Sequence, residues 1–150
     1  MLRAEDPPDD LLVVVRATPG DRQLAEIKIA EDAAASALVY VVTDGAAQIV
    51  LHGVSVFAWR DGVDAAEVLR RFPFAPSFVA VTVGALRVAG FPVLPTGANP
   101  DHFDVQLVAR RSPADGPADA ERLADAARRL LEVAGDLRPN PAYAGDQEAP

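Results

Sequence analysis

The sequence predicts a single α+β domain: a mixed or antiparallel sheet with short helices and a C-terminal helix packed on it. Short apolar runs of strand length are separated by glycine and proline turn signals, which predicts the sheet. One long segment near the C-terminus instead repeats its apolar residues with helical spacing. A chain of 150 residues that is 50% hydrophobic is long enough to bury one core.

The strands are predicted from runs rich in β-branched and aromatic residues, at residues 11–16, 38–42, 48–51, 54–59, 78–81 and 91–94. Gly53 separates two of these runs, which indicates a β-bulge or a close approach of two backbones. Residues 102–109 alternate regularly. One face is expected to carry Phe103, Val105, Leu107 and Ala109, and the other His102, Asp104 and Gln106.

The helices are predicted from capping residues and from composition. Residues 31–37 are alanine-rich and favour a helix, whereas residues 22–29 fit a helix and a strand equally well. Asp64 resembles a capping residue for a helix that Pro73 must end, and Thr82 resembles one for a second short helix. The final helix is predicted to begin near Pro117 and to end at Gly135, with an apolar stripe at Leu123, Ala127, Leu130, Leu131 and Ala134.

The two ends differ in composition from the rest of the chain. Residues 1–10 are acidic, and residues 136–150 are rich in proline and poor in apolar side chains. Such segments bury too little apolar surface to offset the entropy of ordering, so we expect both to be disordered. The folded domain is therefore predicted to span residues 11–135.

Composition excludes several classes of function. The net charge of −8 comes with no basic stripe and no row of exposed aromatics, so we expect no nucleic-acid partner. No apolar stretch approaches the roughly 20 residues of a membrane span, and the acidic N-terminus does not resemble a secretory signal. The absence of cysteine excludes disulfides and thiolate chemistry and fits a reducing compartment. We predict a cytoplasmic protein.

Three candidate chemistries can be weighed from residue types. Ser55, His102 and Asp104 are the residues of a hydrolase triad, but two side chains on one strand two residues apart run parallel, and no G-x-S-x-G elbow is present. His52 and His102 lack the spacing of a metal motif, so no metal site is predicted. The loop at residues 95–100 is interpreted as a connecting turn, with closure over a ligand as the alternative.

Two pairs of arginines stand at the ends of predicted elements, where cations commonly serve solubility or the electrostatics of a helix end. They are Arg70 with Arg71 and Arg110 with Arg111.

An ordered set of features resembles a known family. Arg16 ends the first strand, residues 53–57 spell G-V-S-V-F, and a late strand begins with His102 and Phe103. In this order they are similar to small ADP-ribosyltransferase-like toxins, including type VI secretion effectors. The resemblance implies an NAD cleft in which Arg16 holds the dinucleotide and Ser55 the nicotinamide ribose.

The same resemblance places His102 near the ligand and Asp104 where many members carry a catalytic glutamate. It therefore implies the catalytic set Ser55, His102 and Asp104, with Arg16 and Ser55 binding NAD. Two departures stand out: the family's Ser-Thr-Ser signature is reduced to Val54-Ser55-Val56, and the late acid is one methylene shorter.

Two hypotheses remain open, and they differ on whether the protein is an enzyme. The first is a small toxin-like transferase that uses NAD. The alternative is a non-enzymatic acidic interaction domain of the immunity or adaptor type, with a protein partner. The pI of about 4.6, the acidic ends and the lack of a conventional catalytic set favour the alternative.

Overall fold

The computed structural model describes residues 3–17, 21–41, 48–112 and 120–144. These ranges contain seven strands and four helices, which makes the protein a single α+β domain. In chain order the elements are β1 (Leu12–Ala17), α1 (Arg22–Ala35), β2 (Ala37–Val41), β3 (Gln48–Trp59), α2 (Ala65–Leu69), β4 (Ser77–Thr82), α3 (Val83–Val88), β5 (Val93–Pro95), β6 (His102–Ser112), α4 (Ala120–Ala134) and β7 (Arg138–Pro139).

The strands form one antiparallel sheet in the order β5-β6-β3-β1-β4-β7, and β2 pairs with β3 as well. β3 pairs with three other strands. β6 lies along one side of it, while β2 and then β1 share the other side. The sequence predicts two strands here, but the structure has one, because Gly53 continues the strand through a bulge.

The bulge at Gly53 is caused by a close contact between backbones. A Cβ atom on Gly53 would lie 2.4 Å from the carbonyl oxygen of Val105, a distance that no side chain tolerates. β6 accommodates this with one extra residue, Leu107, and the register shifts between His52 and Gly53. The predicted bulge is therefore confirmed. The alternation predicted through residue 109 is wrong from Leu107 onward, since the buried residue there is Val108.

The main core lies between one face of the sheet and helices α1, α3 and α4. α1 buries Ala25, Ile29 and Ala33, which repeat every four residues, and its N-terminus is capped by Asp21. The ambiguous segment 22–29 is thus helical. The predicted packing of the C-terminal helix is confirmed, because α4 buries an apolar stripe against the same face: Leu123, Ala126, Ala127, Leu130 and Leu131.

The longest described helix, α4, has 15 residues. Across the described ranges, no helix combines the length and the apolar character that crossing a bilayer requires.

A second, smaller cluster covers only part of the opposite face. Helix α2 and the turn that follows it bury Leu69, Phe72 and Ala75 against Val14 and Phe78. This cluster reaches the end of β3 but does not cover β5, β6 and the middle of β3. We call that uncovered region the open face. Because it is not buried, polar side chains are expected to lie there.

The N-terminal segment is held by contacts that composition does not reveal. The sequence predicts disorder for residues 1–10, whereas Asp6 and Asp9 both accept hydrogen bonds from Arg87 at 2.7 Å. The amide of Gly84 also donates to the carbonyl of Asp9. The acidic residues that suggest a solvated tail are thus the groups that attach it to α3.

The segment after α4 is also held by contacts with the rest of the fold. Disorder is predicted for residues 136–150, whereas residues 138 and 139 form β7, and the side-chain amide of Asn140 is buried. That amide donates to the carbonyls of Phe72 and Ala75 at 2.9 and 2.8 Å. One asparagine therefore joins this segment to the turn that follows α2. Residues 145–150 lie outside the described residues.

We expect Gly53→Ala to lower the free energy of unfolding by roughly 1–3 kcal/mol or more, because the added methyl group meets the Val105 carbonyl and the backbones must separate. Urea denaturation followed by circular dichroism measures the change. Ser55→Ala is the control, since Ser55 lies on the same strand with its side chain exposed. Equal stability of Gly53→Ala and the wild type would contradict the close contact.

Candidate functional site

The open face brings together the three residues of the predicted catalytic set. Ser55 on β3 stands opposite Asp104 on β6, and Phe57 stands opposite His102. The hydroxyl oxygen of Ser55 lies 3.1 Å from Nε2 of His102 and 3.4 Å from Oδ1 of Asp104. Residues separated by about fifty positions in the chain are thus within hydrogen-bonding distance.

Thr96, at the end of β5, completes the cluster. Its side chain is almost fully buried, with 4% of the residue exposed. Its hydroxyl donates a 2.6 Å hydrogen bond to Oδ2 of Asp104 and lies 3.1 Å from Nδ1 of His102. His102 and Asp104 are joined only through Thr96 and Ser55 among the described contacts, so the direct histidine–aspartate contact of a hydrolase triad is not formed.

The contacts of His102 define which ring nitrogen carries the proton. Nδ1 lies 3.0 Å from the carbonyl oxygen of Thr96, which can only accept, so Nδ1 must be the donor. In the neutral ring Nε2 then has a lone pair directed at the hydroxyl of Ser55. The single hydroxyl hydrogen of Ser55 can point either to Nε2 of His102, at 3.1 Å, or to Oδ1 of Asp104, at 3.4 Å. In the first arrangement Ser55 and His102 stand as a hydroxyl group and its base.

The loop that carries Thr96 and His102 is fastened by Arg3. Its guanidinium group donates to the carbonyl oxygens of Thr96, Gly97, Pro100 and His102. Its backbone amide also donates to the carbonyl of Pro95. Five carbonyls of one loop are thus satisfied by a residue of the N-terminal segment, which fixes the spacing between Thr96 and His102.

Arg16 approaches the same region from β1. Together with Ser55 it lines a small cavity of about 60 Å³, next to Ile29 and Asp32 of α1. A larger cavity of about 280 Å³ shares Arg16, Ile29 and Asp32 with the first and is closed on its other side by Phe74. The two residues that the sequence assigns to NAD therefore lie on one continuous depression.

The cavity exists because β3 changes partner at this point. β2 pairs with β3 as far as His52, and β1 pairs with it from Phe57 onward. Within the described residues, positions 53–56 therefore pair with β6 alone. Crevices where strands diverge are common ligand sites, since backbone and side-chain groups there remain accessible.

His52 does not belong to the site. It is buried in the main core, where Nδ1 lies 3.0 Å from the carbonyl of Ala33 and Nε2 accepts a hydrogen bond from Arg110. Both ring nitrogens are thus engaged on the face opposite His102. Groups of histidine and acidic residues that could hold a metal ion are absent from the described part of the chain.

Another groove, of about 420 Å³, lies near Trp59 and Gly62 and is bordered by Pro8 and Asp10. None of its lining residues belongs to the cluster around Ser55. We place the candidate site around Ser55, because its hydroxyl group contacts an imidazole and a carboxylate and its side chain also borders the smaller cavity.

Sequence reasoning missed Thr96, and it assigned Arg71 to a helix end without a contact to Phe57. The pairing of β5 with β6 could have revealed Thr96: Pro95 pairs with Phe103, so the next position falls beside His102. Arg71 could not have been found this way. Its guanidinium carbon lies 4.1 Å from the ring centre of Phe57, a contact that depends on how α2 docks on the sheet.

Comparisons with protein-family models, with curated proteins and with solved structures find no match for this chain. The resemblance to ADP-ribosyltransferase-like toxins therefore stays a prediction.

We expect the neutral ring of His102 to carry its proton on Nδ1, because the Thr96 carbonyl accepts there. Long-range ¹H–¹⁵N correlation spectra at alkaline pH report the tautomer directly. His52 is the internal control, since its Nδ1 also faces a carbonyl and its Nε2 accepts from Arg110. A proton on Nε2 of His102 would contradict the arrangement.

We expect Thr96→Val to destabilise the protein by roughly 1–3 kcal/mol, because Asp104 loses its short hydrogen bond while the shape of the buried side chain is kept. Thr96→Ser, which retains the hydroxyl, is the matched variant and should preserve more of that hydrogen bond. Thermal and urea unfolding measure both. If the valine variant proved as stable as the wild type, the hydroxyl would carry no structural role.

Proposed function

We propose that the protein is a small ADP-ribosyltransferase-type domain that binds NAD at the cavity where β3 changes partner. One observation carries the proposal: side chains from two other strands lie next to Ser55 of β3. Arg16 of β1 lines the same cavity as Ser55, and His102 and Asp104 of β6 contact its hydroxyl group.

Each residue has a chemical role in this proposal. Arg16 makes no hydrogen bond or ion pair with the described residues, so its guanidinium group is available for a phosphate. Ser55 binds the nicotinamide ribose. Asp104 provides negative charge near the ribose carbon, which becomes cationic as nicotinamide leaves with its bonding electrons. A nucleophile, either water or a side chain of a target, then bonds to that ribose carbon, and His102 accepts the proton of the nucleophile through Nε2, directly or by way of Ser55.

The size of the cavity limits how the ligand lies. A volume of about 60 Å³ beside Ser55 accepts only one ring of a dinucleotide, and drug-sized ligands occupy pockets of roughly 300 Å³ or more. The rest of the molecule therefore follows the neighbouring cavity of about 280 Å³ and the open face.

A non-enzymatic interaction domain is the second candidate, and an apolar patch on α1 favours it. Leu24 and Ile27 are 50% and 53% exposed and lie one turn apart on the outer side of the helix. Apolar side chains of this size on a helix surface are suited to a protein partner.

The test compares wild type, Arg16→Ala and Ser55→Ala. With purified protein, titration calorimetry measures NAD affinity and chromatography measures release of nicotinamide. We expect Arg16→Ala to weaken NAD binding by about 10-fold or more, which corresponds to the loss of a charged hydrogen bond. Ser55→Ala should slow nicotinamide release by at least about 10-fold. Arg128→Ala, an exposed residue of α4, is the control.

The same variants can be expressed in bacteria at matched levels. Growth arrest with loss of intracellular NAD in wild type, but not in Arg16→Ala or Ser55→Ala, is the expected result. Normal growth, unchanged NAD and no nicotinamide release by wild type would overturn the transferase proposal. The apolar patch on α1 would then be the feature to examine.

A further inference from the structure

Arg71 differs from four other arginines of the described chain in having no carboxylate partner. Arg3, Arg60, Arg87 and Arg128 each form an ion pair. Arg71 makes neither a hydrogen bond nor an ion pair with the described residues, and its guanidinium group contacts the ring of Phe57.

The contact with Phe57 orients the guanidinium group without using its hydrogen-bond donors. The central carbon lies 4.1 Å from the ring centre, and the attraction acts through the ring face. The N–H donors of a guanidinium group lie in its own plane and remain available. Phe57 therefore holds an exposed cation in place with its donors unsatisfied, which is suited to two-point binding of a phosphate.

Phe57 also connects this cation to the candidate site. Its ring meets the edge of His102 with centroids 5.1 Å apart, and it contacts Phe72 at 5.4 Å. Arg16 lies over Phe72 and Phe74, at 5.4 and 5.5 Å. Both guanidinium groups are thus held by one aromatic cluster on the face of the sheet that carries Ser55 and His102.

We propose that Arg71 and Phe57 form an anion-binding subsite beside His102 and that this subsite takes a phosphate group of a diphosphate-bearing ligand. The inference rests on the proposed function for the identity of that ligand, which is the diphosphate of NAD. Arg16 and Arg71 then contact the diphosphate from two directions, and Ser55 and His102 are left for the ribose.

The chain offers a matched control for this subsite. Arg70 is the neighbour of Arg71, carries the same charge and is also exposed, but it has no contact with an aromatic ring among the described residues. Arg71→Gln and Arg70→Gln change the net charge equally. Both arginines line one open cavity with Glu67, and only Arg71 is stacked on an aromatic ring.

Titration calorimetry with NAD and, separately, with inorganic diphosphate is carried out on the full chain. We expect Arg71→Gln to weaken the binding of both ligands by about 10-fold. Arg70→Gln should weaken their binding by less than about 2-fold. Phe57→Leu keeps an apolar side chain but removes the aromatic ring on which Arg71 stacks. It should weaken the binding of both ligands without abolishing it. Circular dichroism establishes that each variant is folded.

The outcomes separate the subsite from the proposed function. If Arg16→Ala no longer binds NAD while Arg71→Gln binds NAD and diphosphate as tightly as the wild type, the subsite is overturned and the transferase proposal stands. Equal loss in Arg70→Gln and Arg71→Gln also overturns the subsite, because net charge alone would explain it. Binding of inorganic diphosphate that depends on Arg71, without NAD binding, supports the subsite and overturns the proposed function. No binding of either probe by wild type overturns both.

Discussion

The close approach of Gly53 to the carbonyl of Val105 is the constraint on which the rest of the structure depends. It lets two strand segments join into the single 12-residue strand β3 and gives β6 one extra residue opposite. On one side of the bulge His52 enters the core, and on the other Ser55 is placed on the open face. A side chain at position 53 would force β3 and β6 apart where the candidate site lies.

The polar cluster on the open face is also part of the fold. Thr96 is buried, and a buried hydroxyl group without partners is costly. Its contacts with Asp104 and His102 satisfy it, and Arg3 satisfies the carbonyls of the same loop. The residues that orient the imidazole therefore also stabilise the hairpin of β5 and β6, so changes at Thr96 and Arg3 are expected to alter stability and chemistry together.

Charge is distributed unevenly in this acidic protein. The acidic residues near the N-terminus are used in ion pairs with Arg87, and those of α4 with Arg128. Arg16 and Arg71, by contrast, lie on aromatic rings and form no ion pair with the described residues. Stacking holds a guanidinium group without neutralising it. The open face can therefore attract an anion although the chain as a whole is negative.

The sequence by itself determined the fold class, most strands, the capped helices and the bulge at Gly53, because these follow from local periodicity and from turn and cap residues. It also selected Ser55, His102 and Asp104. The first part of α1, residues 22–29, fitted a helix and a strand equally well. The reason is that Leu24 and Ile27 are exposed and weaken the helical pattern of apolar residues.

Only the tertiary structure decided what depends on contacts between distant segments. The contacts of Asp6 and Asp9 with Arg87 join the N-terminal segment to α3, and the short bond from Thr96 to Asp104 requires the hairpin register. The position of Arg71 over Phe57 requires the docking of α2 on the sheet. Such contacts join residues that share no local pattern, so their geometry is set by packing rather than by composition or periodicity.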